Sequence, residues 1–168
     1  MLFGHLFTAV RFAERSIMQV RVVPGSLDSL ALAALVVPVF ADKRLDGAAA
    51  AADALLDGAV ADLLSDGEIA GRPNERALVH AAGKNVKRVL IVGLGEREKF
   101  EPSALASYAG AAVRYLGKRN IHSIAFALPL EAQHHVRAAA SFIVEGAIAG
   151  TLDATIYRTE PDHPIDLQ

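Results

Sequence analysis

The fold of this chain is decided by one stretch, Val-Lys-Arg-Val-Leu-Ile-Val-Gly-Leu-Gly, at residues 86–95. Its centre, from Val89 to Val92, is a continuous apolar run, which is typical of a strand covered by helices on both faces. A helical pattern follows at residues 102–116, and a second apolar strand pattern lies at residues 123–128. Strand, helix and strand in this order form a βαβ unit, whose two strands run parallel. We therefore expect an α/β domain built around this unit.

The segments before the unit predict further strands and a helical region. Strand patterns lie at residues 19–23 and 35–40, and a short strand at 77–81 precedes a tight turn that would pair it with the central strand. The alanine-rich segment at 48–64 has leucine and valine at helical spacing, and Asp57-Gly58 would divide it into two helices.

The helix at 102–116 has one apolar face, formed by Leu105, Tyr108, Ala109, Ala112 and Leu116. Gly110 lies inside this helix and costs about 1 kcal/mol relative to alanine, so we expect a close backbone contact there. Residues 131–149 predict a long second helix that ends at Gly150. A last short strand is predicted at residues 154–157.

Composition limits the classes of protein that this chain can belong to. Its 168 residues are most simply one domain, and 52% hydrophobic residues exclude a mainly disordered chain. The formal net charge of −2 gives no general attraction to nucleic acid or to an anionic membrane. The chain has no cysteine, which excludes disulfides, thiolate catalysis and thiolate metal sites.

The two ends of the sequence predict segments outside this domain. No apolar stretch reaches the roughly 18 residues that span a bilayer, and Arg11 and Arg15 follow the apolar start instead of preceding it as in a secretory signal. We therefore expect a cytoplasmic protein. Residues 1–17 are interpreted as an extension before Met18 or as a short docked helix, residues 18–158 as the domain, and residues 159–168 as a tail or linker.

The turn Gly93-Leu94-Gly95 is the one candidate ligand-binding site. A glycine turn at the end of a strand can bind phosphate through its backbone amides. The dinucleotide fingerprint needs a third glycine three residues further on, where this chain has Glu98. A structural turn is therefore the favoured interpretation, and an anion-binding loop is the alternative.

Other ionisable residues form no catalytic or metal-binding pattern in the sequence. His134 and His135 are adjacent, so on a helix they point about 100° apart and cannot chelate one metal ion. Asp42 and Asp46 could share a face, but solvation explains them better than metal binding. We predict no catalytic residue and no metal ligand.

Basic residues give only a weak indication of nucleic-acid binding. Lys84, Lys87 and Arg88 lie among apolar residues without interleaved aromatic side chains, and the net charge is negative. Nucleic-acid binding, which is the least favoured function for this chain, would use Lys84, Lys87, Arg88, Arg97 and Lys99.

Four stretches in this order resemble the N-terminal domain of the leucyl aminopeptidases, the cytosol aminopeptidase family. They are the run at 86–95, Ala-Gly-Ala-Ala-Val-Arg at 109–114, the strand at 123–129 and Glu-Gly-Ala-Ile-Ala-Gly at 145–150. The order and spacing agree from about residue 18 to residue 160. The resemblance implies a mixed, mostly parallel sheet flanked by helices on both faces, related to the macro domain.

The resemblance also implies a functional context. In that family this domain precedes a larger domain that uses two divalent metals to remove N-terminal residues from peptides. Its motifs Asn-Thr-Asp-Ala-Glu-Gly-Arg, Lys-Gly and Phe-Asp-x-Gly-Gly do not occur in this sequence, so no catalytic or metal residue carries over.

Two functions therefore follow from the sequence as hypotheses. The first is a non-catalytic domain that shapes access to a catalytic aminopeptidase domain or mediates oligomer contacts. Its partner would be that catalytic domain or a second copy of the chain. The alternative is a macro-like module that binds a nucleotide or another phosphate-bearing ligand at Gly93, Leu94 and Gly95. Neither hypothesis involves a membrane.

Overall fold

A computed structural model describes residues 32–121 and 123–151, together with the backbone of two strands at 5–12 and 18–25. The described strands are β1 (His5–Phe12), β2 (Met18–Gly25), β3 (Ala34–Val39), β4 (Arg76–His80), β5 (Arg88–Gly93) and β6 (Ser123–Ala127). The described helices are α1 (Gly47–Leu55), α2 (Ala59–Ser65), α3 (Ala104–Gly117) and α4 (Val136–Thr151).

The six strands form one mixed sheet in the order β2-β1-β6-β3-β5-β4. Strand β3 pairs in parallel with both β5 and β6, whereas β4 pairs antiparallel with β5 and β1 pairs antiparallel with both β2 and β6. Four strands therefore point one way and two point the other. This confirms the predicted mixed, mostly parallel sheet. The two strands of the βαβ unit are parallel as predicted, with β3 between them.

Helices cover both faces of this sheet, as predicted. Val36, Leu90 and Phe126 face α3 and α4, while Leu35 and Ile91 face α1 and α2. Successive residues of a strand point to opposite faces, so a strand buried on both faces needs the continuous apolar run that Val89 to Val92 provide. The predicted apolar face of the helix at 102–116 is also confirmed, since all five of its residues are buried in α3.

The alanine-rich segment is divided into two helices at the predicted pair. Asp57 and Gly58 both adopt the left-handed conformation, with φ of 55° and 95°. The Asp53 carbonyl accepts a 2.9 Å hydrogen bond from the Gly58 amide, and the Asp53 carboxylate accepts one of 2.8 Å from the Ala61 amide. Asp53 of α1 therefore stabilises the junction between the two helices, because it accepts hydrogen bonds from two backbone amides that follow the end of α1.

The second long helix differs from the prediction at both ends. Residues Leu130–His135 form a 3₁₀ segment, and the α-helix begins only at Val136. Gly150 does not end this helix; it is buried within α4 against α3, and a Cβ there would lie 2.8 Å from the Gly110 carbonyl oxygen. Gly110 thus makes the close backbone contact that the sequence predicts.

The prediction for residues 1–17 is wrong over residues 5–12. These residues form β1, which lies between β2 and β6 in the sheet, instead of an extension or a docked helix. Their aromatic and β-branched side chains favour a strand. The strand predicted at 154–157 and the tail at 159–168 lie outside the described residues, and the division near residue 158 stays a prediction.

Candidate functional site

The carboxyl ends of β3, β5 and β6 lie at the same edge of the sheet, because these strands run parallel. The chain leaves β3 towards α1 on one face, and it leaves β5 towards α3 on the other face. Open α/β sheets bind their ligands in the crevice between two such diverging connections. This edge is therefore where a ligand site is expected.

Arg97 occupies this edge between three carboxyl groups, and we call these four residues the Arg97 cluster. Arg97 Nε donates a 2.7 Å hydrogen bond to Asp42 Oδ2, and Arg97 Nη1 lies 3.1 Å from Asp46 Oδ2. The same Nη1 also donates to Glu131 Oε1. The cluster therefore joins the segments that follow three neighbouring strands.

Aromatic packing fixes the guanidinium in this position. The Arg97 ζ-carbon lies 4.3 Å from the centre of the Phe40 ring, and Phe40 packs edge to face on Phe100 with ring centres 5.6 Å apart. Only 16% of the Arg97 side chain is exposed. The low exposure and the stacking favour one fixed geometry, which a fully solvated ion pair lacks.

The cluster changes the pKa of two of its members. The hydrogen bond from Arg97 holds the pKa of Asp42 below its ordinary value of 3.8 and outweighs the opposing effect of burial. Burial by itself would lower the pKa of Arg97, but hydrogen bonds to Asp42 and Glu131 and the charges of Glu131 and Asp46 raise it. Both shifts favour the ionised pair.

This edge is poorly suited to an anionic ligand. Three carboxyl groups surround the Arg97 guanidinium. Those of Asp42 and Glu131 accept hydrogen bonds from it, and that of Asp46 forms an ion pair with it. Glu131 Oε2 is buried without a hydrogen-bond partner among the described residues. The adjoining cavity, lined by Phe40, Arg44, Asp46 and Pro129, has a volume of about 10 Å³, which is room for about one water molecule.

The Gly93-Leu94-Gly95 turn lies beside this cluster, and its amides already have acceptors. Gly93 N donates to the Glu75 carbonyl at 2.9 Å, Leu94 N to Val39 at 2.8 Å and Gly95 N to Gly71 at 2.8 Å. An anion could bind these amides only by displacing hydrogen bonds that join the turn to its neighbours. The geometry thus favours the structural interpretation of the turn, and anion binding stays an untested prediction.

Glycine is required at both ends of the turn for steric reasons. A Cβ on Gly93 would lie 2.0 Å from the Arg72 carbonyl oxygen, and Gly95 has a φ of +89°. Because Gly93 has no side chain, the backbone of Gly71 and Arg72 can pack directly against it. Gly95 adopts a left-handed conformation that other residues rarely take.

Three of the five basic residues of the nucleic-acid hypothesis pair with carboxyl groups. Lys84 lies 3.7 Å from an Asp57 carboxylate oxygen, Lys99 lies 2.8 Å from Glu96, and Arg97 belongs to its own cluster. The charges of these three residues are compensated locally, which weakens their attraction to a polyanion.

Within residues 32–121 and 123–151, no group of three histidine or acidic side chains is arranged to hold a metal ion. His134 and His135 are exposed and adjacent in the 3₁₀ segment. In this described part, no helix is long and apolar enough to cross a membrane.

The Arg97 cluster was not predicted from the sequence. We expected Asp42 and Asp46 to be solvated, whereas they lie against Arg97. One signal was present: Asp42, Arg97 and Glu131 each follow the end of a parallel strand by three or four residues. Parallel strands bring such positions to one edge, so opposite charges there could have been recognised as a group.

The mixed sheet and its two helical layers define an α/β domain in which ion pairs of the chain itself occupy the edge at the carboxyl ends of the parallel strands. The family described as the cytosol aminopeptidase family, N-terminal domain, matches residues 36–161. The chain therefore belongs to the cytosol aminopeptidase family, through the N-terminal domain of that family.

Individual relatives agree with this assignment. A probable cytosol aminopeptidase of Solibacter usitatus (strain Ellin6076) is 35% identical over 143 residues, which are 84% of this chain and 27% of that protein. The chain thus spans about a quarter of the length of this relative. A second one, from Acidobacterium capsulatum, is 36% identical over 109 residues, which are 64% of this chain and 22% of that protein.

One solved structure supports the same fold, and a second one is more distant. A mutant tomato leucine aminopeptidase matches with a TM-score of 0.61 and 17% identity over 81% of this chain and 28% of that chain. The macrodomain of Mycobacterium tuberculosis DarG matches with a TM-score of 0.46 and 15% identity over 58% of this chain and 67% of that chain. The first likeness supports the fold alone, and the second is too distant for an argument about ligands.

Proposed function

We propose that this chain is a non-catalytic domain with a structural role, and that it shapes access to, or subunit contacts of, a catalytic aminopeptidase segment. The observation that carries the proposal is the Arg97 cluster. The edge where an α/β sheet would bind a ligand is instead closed by an arginine and the carboxyl groups that surround it.

The family assignment supports the same proposal. The match covers the N-terminal domain of the family, and this chain spans 27% of the Solibacter relative. We place the aminopeptidase chemistry, and the two divalent metals that the family resemblance implies, in the part of the relative that this chain does not match. A cytoplasmic location fits the relatives, which carry the name of cytosol aminopeptidases.

A peptidase assay tests the non-catalytic part of the proposal. The purified 168-residue chain is incubated with Leu-p-nitroanilide and Mn²⁺ or Zn²⁺, beside the full-length Solibacter relative as a positive control. We expect the relative to release nitroaniline and this chain to release none. Turnover by this chain that a chelator abolishes would contradict the proposal.

An association experiment tests the structural part. The chain is measured by light scattering after size exclusion, alone and with a version of the Solibacter relative that lacks the matched 143 residues. We expect either a complex with the truncated relative or a defined oligomer of the chain. A monomer in both samples would contradict a role in access or subunit contacts.

The second candidate function is a binding module for a nucleotide or another phosphate-bearing ligand. It is favoured by the position of Gly93, Leu94 and Gly95, which follow β5 at the edge where α/β sheets bind ligands. Calorimetric titration with ADP-ribose and with inorganic phosphate separates the two functions. We expect no saturable heat, because the three amides already donate, and a saturable signal would favour the binding module.

A further inference from the structure

Strand β4 forms one edge of the sheet, and its outer side is unpaired within the described residues. The Gly93 amide donates to the Glu75 carbonyl, and the Ala81 amide donates to the Lys87 carbonyl. In an antiparallel ladder, every second residue bonds inwards, so Ala77 and Val79 pair with β5. The backbone amides and carbonyls of the alternate residues, Arg76, Leu78 and His80, point outwards in the plane of the sheet. We call the outer side of β4 that these three residues form the β4 edge.

The side chains beside the β4 edge are basic and aromatic. Two arginines stack on one tyrosine: the ζ-carbon of Arg119 lies 3.7 Å from the centre of the Tyr115 ring, and that of Arg76 lies 5.4 Å from it. We call these three residues the Tyr115 stack. Both arginines are exposed, and neither forms an ion pair with a described residue.

The other end of the β4 edge is also basic. His80 is exposed and lies directly opposite Arg88 in the ladder, so their side chains leave the same face of the sheet. Leu78, between Arg76 and His80 on that face, packs against the core and stays partly exposed. The edge therefore has an apolar centre with a basic group at each end.

These charges select the kind of strand that can pair here. A second copy pairing antiparallel about Leu78 would place Arg76 opposite His80 and close to Arg88 of the other copy, and like charges that face each other are unfavourable. A strand with acidic residues at both ends would instead gain ion pairs as well as backbone hydrogen bonds.

We propose that the β4 edge binds an extended acidic segment of a partner protein as an added strand. The segment has the pattern acidic-x-apolar-x-acidic. One carboxylate contacts the Tyr115 stack, the apolar side chain covers Leu78, and the other carboxylate contacts His80 and Arg88. The spacing follows from the two-residue period of a strand, which places every second side chain on the same face.

A peptide titration tests the proposal on the full chain. The probe is a fluorescein-labelled heptapeptide, Thr-Glu-Thr-Val-Thr-Glu-Thr, and binding is measured by fluorescence anisotropy. We expect saturable binding that weakens with salt, and no binding of the version with lysine in place of both glutamates. Equal binding of the lysine peptide would overturn the proposal, and so would no binding of the acidic one.

Hydrogen exchange distinguishes strand addition from side-chain attraction alone. The amides of Arg76, Leu78 and His80 should exchange rapidly in the free chain and slowly with the peptide bound, whereas those of Ala77 and Val79 are protected in both states. Peptide binding without new protection would overturn the proposal. Tighter binding of a single-stranded oligonucleotide of equal charge would also overturn it, since it would identify the surface as a nucleic-acid site.

Charge reversal provides the matched variants. Arg119→Glu and Arg76→Glu each remove a donor of the Tyr115 stack and should weaken peptide binding on the order of tenfold or more. Arg137→Glu, at an exposed position of α4, is the control and should leave the affinity within about twofold apart from general charge effects. An equal loss in all three variants would overturn the proposed site.

Discussion

Gly146 of α4 lies directly against Ala106 of α3: a Cβ built on Gly146 would be 2.0 Å from the Ala106 carbonyl oxygen. A Cβ on Gly150, one turn further along α4, would be 2.8 Å from the Gly110 carbonyl oxygen. The two helices therefore pack backbone to backbone, and glycine at these positions sets their separation.

We predict that Gly146→Ala destabilises the fold by roughly 1–3 kcal/mol, because the new methyl group forces the helices apart. The loss should persist even though alanine favours a helix over glycine by about 1 kcal/mol. Urea unfolding followed by circular dichroism measures the change. The matched control is Gly117→Ala in α3, where a Cβ meets nothing within 4 Å and about 0.4–1 kcal/mol of stabilisation is expected. A stabilised Gly146→Ala variant would contradict the close packing.

The sequence predicted only one side of this helix contact. Gly110 interrupts a strong helical pattern, so its cost indicates a structural reason. Gly150 also fits a common helix end, and a local pattern cannot distinguish a terminator from a contact residue. Gly146 gives no local signal at all, because its role depends on which helix packs against it. Local periodicity thus predicts a helix and its buried face, but not its partner.

Arg97→Met should destabilise the domain by roughly 1–3 kcal/mol, because it leaves the carboxyl groups of Asp42, Asp46 and Glu131 close together without their shared donor. Arg97→Lys should have an intermediate effect, since lysine keeps the charge but lacks the planar fork that contacts several oxygens. The free energy of unfolding in urea is the measurement.

The control for this variant is Lys99→Met, two residues away. Lys99 is 74% exposed and pairs with Glu96 in the same 3₁₀ turn, so its removal should cost no more than about 1 kcal/mol. Equal losses for Arg97→Met and Lys99→Met would mean that the cluster contributes no more than a surface ion pair.

The pH dependence of stability reports the same cluster. The pKa of Asp42 is lowered in the folded chain by the Arg97 hydrogen bond, so folding favours the ionised carboxylate. The stabilisation is therefore present above the ordinary value of 3.8 and is lost as the pH falls through the lower folded value. The advantage of the wild type over Asp42→Asn should shrink in the range that begins at about pH 4 and extends to lower pH. A constant difference across that range would contradict the assignment.

The ligand edge shows why a site is harder to predict than a sheet. The strands follow from runs such as Val89 to Val92, whose burial depends on their own composition. The Arg97 cluster depends instead on three loops that are far apart in sequence and meet only because β3 lies between β5 and β6. Asp42 and Glu131 resemble ordinary loop residues until that strand order is known.

Tyr108 gives the last prediction, because its hydroxyl joins α3 to the sheet. The buried O–H lies 2.9 Å from the Val36 carbonyl oxygen of β3 and 3.2 Å from that of Ala127 in β6. We expect Tyr108→Phe to cost about 1–2 kcal/mol, since it keeps the packing and removes the hydrogen bond.

Burial also raises the pKa of Tyr108 well above 10.0, so folding favours the neutral phenol. This stabilisation is fully present below about pH 10 and declines as the pH rises further. Absorbance at alkaline pH should show at least one of the three tyrosines ionising only when the chain unfolds, and this late step should be smaller by one tyrosine in Tyr108→Phe. Ionisation of all three in the folded chain would contradict the buried position of the hydroxyl.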